Sequence, residues 1–233
     1  MKRHNALEGI KVLDFSWVIV GPYATRCMAD YGAEVIRVES STRPDTCRTL
    51  PPFKDHEIAI DNSGLYPNYN ANKYGISLNL NHPKGRDIAK RLSDRADVVV
   101  ESFTAGLMKR WGLAYEDIVQ FNPSVIMVSL TMQGQTGPHH LHPGYGSTLQ
   151  ALTGFNHFLG WTDRPPCLPG VPYTDFVAPP FAVAAILAAL AYRQRTGKGQ
   201  YIDLSQYETG VHFLETAILD YTVNGRQQQR MGN

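Results

Sequence analysis

Residues 10–39 read IKVLDFSWVIVGPYATRCMADYGAEVIRVE, and this stretch decides the fold. Ile10–Ser16 is a short, apolar, partly β-branched run that predicts a buried strand. Gly21-Pro22 then leads into a helix expected over Tyr23–Tyr31 and stopped by Gly32. Glu34–Glu39 (EVIRVE) predicts a second strand. Strand, loop, helix and strand in that order make a Rossmann-like opening. The turn Ser16-Trp17-Val18-Ile19-Val20-Gly21-Pro22 lacks the G-x-G-x-x-G spacing that lets a dinucleotide pyrophosphate approach the backbone. Neither NAD nor FAD is therefore expected. A helix N-terminus beyond a strand's carboxyl end still suits an anionic group.

Outward from this unit the alternation continues. Pro83–Arg95 predicts an amphipathic helix, Asp97–Glu101 (DVVVE) a third strand, and Tyr115–Phe121 a short helix ended by Asn122-Pro123. Val125–Leu130 (VIMVSL) and Tyr201–Leu204 predict further strands, and Gln206–Val223 a helix. Strands about 25–45 residues apart with helices between them imply an α/β fold, Rossmann-like, with a mostly parallel sheet and helices on both faces. Between them, Ser40–Asn68 is polar and irregular, and a connection of that length is usually functional or mobile.

Composition narrows the function classes. Of 233 residues, 43% are hydrophobic and 18% charged, which supports a sizeable core rather than disorder. A net charge of +1 offers no general field for nucleic acid or a membrane surface. The Phe181–Tyr192 run falls short of the roughly 18–20 apolar residues of a membrane span, and MKRHNALEGIKVLDF carries no apolar signal region. Cys27, Cys47 and Cys167 are odd in number and form no C-x-x-C pair, which argues against a disulfide framework and for a reducing cytoplasm. His139-His140-Leu141-His142 has the spacing of neither a zinc finger nor a helical i, i+4 pair, so no metal is expected. A nucleophilic role for Cys167 would need a positioned partner that the sequence does not identify.

The chemistry centres on Gly144–Gln206: GYGSTLQALTG, then WTDRPPCLPGVPYTDFVAPP, then FAVAAILAALAYRQRTGKGQYIDLSQ. Six alanines between Ala182 and Ala191 favour a helix, expected to start near Pro179, with Arg193 and Arg195 at its C-terminal dipole and Gly197 or Gly199 as its stop. Asp175 stands just ahead of that helix. Taken locally, it is a helix or turn cap or a catalytic carboxylate.

This stretch resembles the family III CoA-transferases, the CaiB/BaiF family. The matching features are Gln150-Ala151-Leu152-Thr153-Gly154, the proline-rich loop, Asp175, the Ala-rich helix and Arg193-Gln194-Arg195-Thr196-Gly197-Lys198-Gly199-Gln200. LEGIKVLDFSWVIVGPYATRCMADYGAEVIRVES is similar to the family's N-terminal signature, and Asn70–Leu80, Phe103–Leu113 and Gln133–Pro138 match further segments. Three positions depart from it: Asn79 for Asp, Ser102 for Asn and Ala105 for Pro. The resemblance implies Asp175 as the catalytic residue and Val18, Lys73, Phe103, Arg110 and Tyr145 as coenzyme A contacts. Lys73 stays open between such a contact and a solvated loop cation. No metal or nicotinamide or flavin cofactor is implied; the coenzyme A thioester is a substrate.

The implied reaction moves CoA from an acyl-CoA, such as succinyl-CoA, to a carboxylic acid through an aspartyl-CoA thioester. A carboxylate nucleophile is ionised at pH 7 without a helper base. Trp17, Tyr145, Trp161 and Tyr173 are candidates for the apolar wall that keeps water off the anhydride. The wording is most similar to members acting on aromatic or dicarboxylic acids in anaerobic degradation, succinyl-CoA:benzylsuccinate CoA-transferase among them. The rival within the superfamily is an α-methylacyl-CoA racemase, whose G-H-D histidine is replaced here by Tyr145 in Gly144-Tyr145-Gly146. A silent subunit of a hetero-oligomer is a further alternative, against which Asp175 argues. The resemblance spans about the first half of a typical member. It implies a large domain over 1–205, and over 206–233 a helical exit toward a small domain that a fragment would lack. In that family two subunits interlock as a homodimer or heterodimer.

Overall fold

The computed structural model describes residues 5–232. Six strands form one sheet: β1 (Lys11–Asp14), β2 (Glu34–Glu39), β3 (Tyr74–Ser77), β4 (Val98–Glu101), β5 (Ile126–Thr131) and β6 (Gln200–Ser205). The helices, in order, are α1 (Val20–Asp30), α2 (Leu65–Asn70), α3 (Pro83–Ser93), α4 (Leu107–Trp111), α5 (Tyr115–Ile118), α6 (Gly146–Leu152), α7 (Phe155–Phe158), α8 (Thr174–Thr196), α9 (Gln206–His212) and α10 (Glu215–Asn224). The strand order is β3-β2-β1-β4-β5-β6, and every strand pairing is parallel. This is the Rossmann order, with its reversal between β1 and β4.

Period-two alternation builds the two faces. Val12, Val98, Val100, Ile126, Val128 and Leu130 point to one side, where they meet Ala24 and Met28 of α1 and Ala178, Ala182, Ile186 and Ala189 of α8. Leu13, Val99 and Met127 point to the other, against Ala89 of α3, Met108 of α4 and Ile118 of α5. The small alanines let α8 approach the sheet closely. Each buried large apolar side chain, such as Ile186 at 0% exposure, adds about 1.5–3 kcal/mol.

Four expectations need correction. β3 is an extra strand at the sheet edge, pairing Ile36–Glu39 with Tyr74–Ser77; its side chains are largely exposed, so it carries no apolar run. α8 starts at Thr174 instead of near Pro179, because the Phe176 and Val177 amides bond to the Tyr173 carbonyl before the prolines are reached. At 23 residues α8 is long and apolar enough to cross a membrane by length and composition, yet it packs on the sheet as a core helix. The helix expected over Gln206–Val223 breaks at Phe213-Leu214, where the Phe213 ring stacks on Phe155 (6.2 Å) and meets Tyr173 (5.9 Å) edge-on.

Candidate active site

The carboxyl ends of β1 and β4 diverge at the reversal of strand order, where open α/β sheets bind ligands. The chain leaving β1 is held there group by group. Asp14 accepts the Ser16 N–H (2.9 Å), and Ser102 beyond β4 accepts the Trp17 N–H (2.9 Å). Arg37 donates to the Ser16 carbonyl (2.7 Å). Val18 has φ +64°, a left-handed conformation that costs a residue with a β-carbon about 1–2 kcal/mol. Its N–H is caught between both oxygens of Asp45 (3.2 and 3.1 Å), and its carbonyl accepts the Cys47 thiol (3.2 Å).

Behind this turn lies a buried quartet of charges. Arg37 pairs with Asp45 and lies 3.8 Å from Asp14, and Lys73 Nζ is 3.0 Å from Asp14. Burial alone would raise the Asp14 pKa, but the charges of Lys73 and Arg37 outweigh it and hold the carboxyl below its usual range. Burial pushes Lys73 down and Asp45 up. Lys73 therefore corrects both of its expected roles. It is neither solvated nor free for phosphate: its three donors go to Asp14, the Pro22 carbonyl (2.9 Å) and Asn70 (3.0 Å).

Asp175 sits in the first turn of α8, 6% exposed. It caps nothing, since the residue before the helix is Tyr173 and no described residue donates to the Asp175 carboxylate. Burial lifts its pKa to about 7, so this carboxyl holds its proton far more tightly than the ordinary carboxylate that the sequence implies. The carboxylate opens into a pocket of about 480 Å³ walled by Val18, Ile19, Thr46, Leu50, Tyr145 and Val171. Val18 and Tyr145 thus share a pocket with Asp175, while Lys73, Phe103 and Arg110 do not line it.

Phe103 and Arg110 line a second pocket, of about 320 Å³, together with Phe15, Trp17, Arg43 and Trp111. Phe103 packs edge-on against Trp17 (5.9 Å) and Trp111 (5.3 Å), and Arg43 lies 5.3 Å over Trp17. Consecutive residues line the two pockets: Trp17 this one and Val18 the one with Asp175. The Phe103 turn is pinned from below. Glu101 accepts the Phe103 N–H (2.7 Å) and the Gln135 side-chain amide (3.0 Å), and Gln135 accepts the Gly106 N–H (3.2 Å). Burial raises Glu101 to about 7.

Of the aromatic wall candidates, only Tyr145 borders the Asp175 pocket. Tyr173 packs tilted against Phe155 and edge-on against Phe213, and Trp161 is 51% exposed. The aliphatic Leu50, Leu168 and Val171 supply most of the remaining apolar wall. The rings of His139 and His142 pack together at 5.2 Å, and no group of three His, Cys, Asp or Glu among the described residues could hold a metal ion.

The family model for CoA-transferase family III matches residues 7–233. The chain belongs to this family. Human succinyl-CoA:glutarate CoA-transferase is 38% identical over 233 residues, covering 100% of this chain and 52% of that protein. Succinyl-CoA–D-citramalate CoA-transferase of Chloroflexus aurantiacus is 34% identical over 227 residues, covering 97% and 56%. The crystal structure of a CAIB/BAIF family protein from Brucella suis superposes with a TM-score of 0.92 at 33% identity, covering 99% of this chain and 61% of that one. The chain thus spans about half the length of the curated relatives it matches.

Within this family III chain, residue-by-residue reading missed Asp45, Ser102 and Glu101 as supports of the site. Asp45 lies in the irregular Ser40–Asn68 stretch, where no periodicity marks it. Ser102 departs from the family pattern, yet it holds the Trp17 backbone. The one signal for Glu101 was an acidic residue ending an otherwise apolar strand, VVVE.

Proposed function

We propose that the protein, as part of its full-length polypeptide, is a CoA-transferase that moves CoA from an acyl-CoA to a carboxylic acid, with Asp175 as the nucleophile. The observation that carries this is a buried carboxylate free of hydrogen-bond donors, opening into an apolar pocket that adjoins a second pocket bearing Arg43 and Arg110. Coenzyme A is long enough to span both. Its phosphates suit Arg43 and Arg110, its purine suits the Trp17–Phe103–Trp111 rings, and its thioester reaches Asp175 past Val18.

The Asp175 carboxylate oxygen attacks the donor thioester carbonyl; the C–S bond breaks and CoA leaves as thiolate, giving a mixed anhydride. The thiolate attacks the Asp175 carbonyl carbon and expels the donor carboxylate, leaving an aspartyl-CoA thioester. An acceptor carboxylate attacks that thioester and the thiolate leaves again. Attack of the thiolate on the acceptor's acyl carbon then yields the new acyl-CoA and free Asp175. The aliphatic walls of the pocket exclude water from both anhydrides. A side chain without donors is the less stabilised, more nucleophilic carboxylate.

The names of the relatives support succinyl-CoA as donor and a dicarboxylic acid as acceptor, rather than an aromatic one. Among the described residues no histidine lines the Asp175 pocket, which speaks against α-proton transfer as in a racemase. The test is a covalent trap on the full-length protein: incubation with a panel of acyl-CoA thioesters, borohydride or hydroxylamine quenching, and peptide mass spectrometry. An acyl-CoA-dependent adduct on Asp175, lost in Asp175→Asn, is expected. Full CoA exchange by Asp175→Asn would overturn the assignment.

A further inference from the structure

We propose that Asp45 is a positioning residue of the transfer site. Its buried carboxylate locks Val18 in the left-handed conformation and joins the two chain segments that wall Asp175. This rests on the transferase reading above and adds a residue to it.

Three observations converge on Asp45. It is 0% exposed, and its partners all lie within the protein: Arg37, the Val18 N–H and the Cys47 N–H (2.9 Å). Val18 is a β-branched residue in a backbone region that only glycine occupies freely, so its conformation must be imposed from outside. Asp45 is the group that imposes it on the N–H side, with Cys47 Sγ answering at the carbonyl. The segments on either side of this joint both line the Asp175 pocket, the first through Val18 and Ile19 and the second through Thr46 and Leu50. A small apolar cluster carries the joint onward: Ile19, Cys47 and Tyr69 pack with Phe176, the residue after Asp175.

If the Asp45 contact is lost, Val18 is expected to relax toward negative φ. The turn that guides the thioester then moves relative to the nucleophile. Misplacement by about 1 Å costs on the order of a hundredfold in rate for a reaction that depends on alignment. Of the groups proposed to hold the nucleotide portion, Phe103, Arg110 and Trp111 lie away from Asp45 in the chain, while Trp17 and Arg43 flank the joint, so only a small part of the loss is expected in KM.

The experiment is a double-mutant cycle on the full-length enzyme: Asp45→Asn, Val18→Gly and both together. Arg37 keeps Asp14 as a carboxylate neighbour in Asp45→Asn. We expect Asp45→Asn to lower kcat at least tenfold in the Val18 background, with KM for acyl-CoA within threefold. In the Val18→Gly background the same substitution should cost less than threefold, because glycine takes positive φ unaided. An equal loss in both backgrounds, or a loss below twofold in the first, would overturn the proposal. Should Asp45→Asn fail to fold, Asp45→Glu keeps the charge for Arg37 and carries the same cycle. A parallel Asp175→Ala separates the two ideas, since retained activity there removes the nucleophile and leaves the Asp45 cycle readable. If the unsubstituted enzyme transfers CoA from no donor, the cycle is read as the rate of carbodiimide labelling of Asp175. A threefold change in Asp45→Asn, reversed by Val18→Gly, is then expected, and an unchanged rate overturns the proposal.

Discussion

Gly146 and Asp175 are packed so closely that a β-carbon on Gly146 would fall 2.7 Å from Asp175 Cγ and 3.0 Å from Pro172 Cβ. Thr174 Oγ1 fastens the two segments by donating to the Gly146 carbonyl (3.1 Å). The glycine is required here by space, at a position where its φ is ordinary. Gly146→Ala should therefore shift Asp175 instead of unfolding the helix. We expect a destabilisation of about 1–3 kcal/mol by overpacking and a loss of kcat of tenfold or more. Thermal melting and steady-state kinetics measure the two effects separately.

The raised pKa of Asp175 sets the pH dependence of rate. In the proposed mechanism its carboxylate is the attacking form, so kcat/KM should rise about tenfold per pH unit below 7 and level off above it. A flat profile between pH 5.5 and 8 would contradict the burial argument.

The same shift bears on stability, with a definite sign. The folded pKa, about 7, lies above the ordinary 3.8, so the folded state holds the proton more tightly. Stability from this group is full below pH 4 and is lost as pH rises through 7. Asp175→Asn removes that loss. At 1.36 kcal/mol per unit, the variant should gain on the order of 3–4 kcal/mol over the parent at pH 8 relative to pH 4, read by denaturant unfolding at both pH values.

Glu101 supports the other pocket. Glu101→Gln keeps an acceptor for the Phe103 N–H but brings an amide NH₂ against the Gln135 amide that Glu101 now accepts. The Gln135 contact to Gly106 should loosen with it. We expect KM for acyl-CoA to rise about three- to tenfold with kcat nearly unchanged.

Lys73→Met tests the corrected role of that lysine. Removing the cation leaves Asp14 buried beside Arg37 alone, and breaking a buried pair costs about 3–5 kcal/mol. Coenzyme A affinity of the folded variant, measured by calorimetry, should stay within twofold, whereas Arg110→Ala should weaken it about tenfold and flatten its salt dependence.

Much of the fold was legible because the central strands are buried on both faces. DVVVE and VIMVSL are near-continuous apolar runs, and a run buried on both sides needs no partner to be recognised. β3 escaped notice for the converse reason: its YGIS is mostly exposed at an edge, where pairing with β2 and no apolar pattern makes it a strand. In the site, Asp175 stood out by its place in an ordered set of motifs, while the wall around it did not. Leu50 and Leu168 are ordinary leucines of irregular loops until the chain folds them over Asp175.

The sequence by itself determined which segments alternate as strand and helix and the parallel Rossmann-like sheet, and through its ordered motifs it pointed to Asp175 as the proposed nucleophile. Each of these is written in local apolar periodicity or in a linear order of motifs. Tertiary structure alone decided that Lys73 neutralises Asp14 across 59 positions, that Asp45 holds Val18, and that Asp175 is buried enough to raise its pKa well above the usual carboxylate range. Charge and burial depend on which distant groups arrive within a few ångströms. That distance is set by how the β1, β2 and β4 ends converge, and no single stretch of the chain contains it.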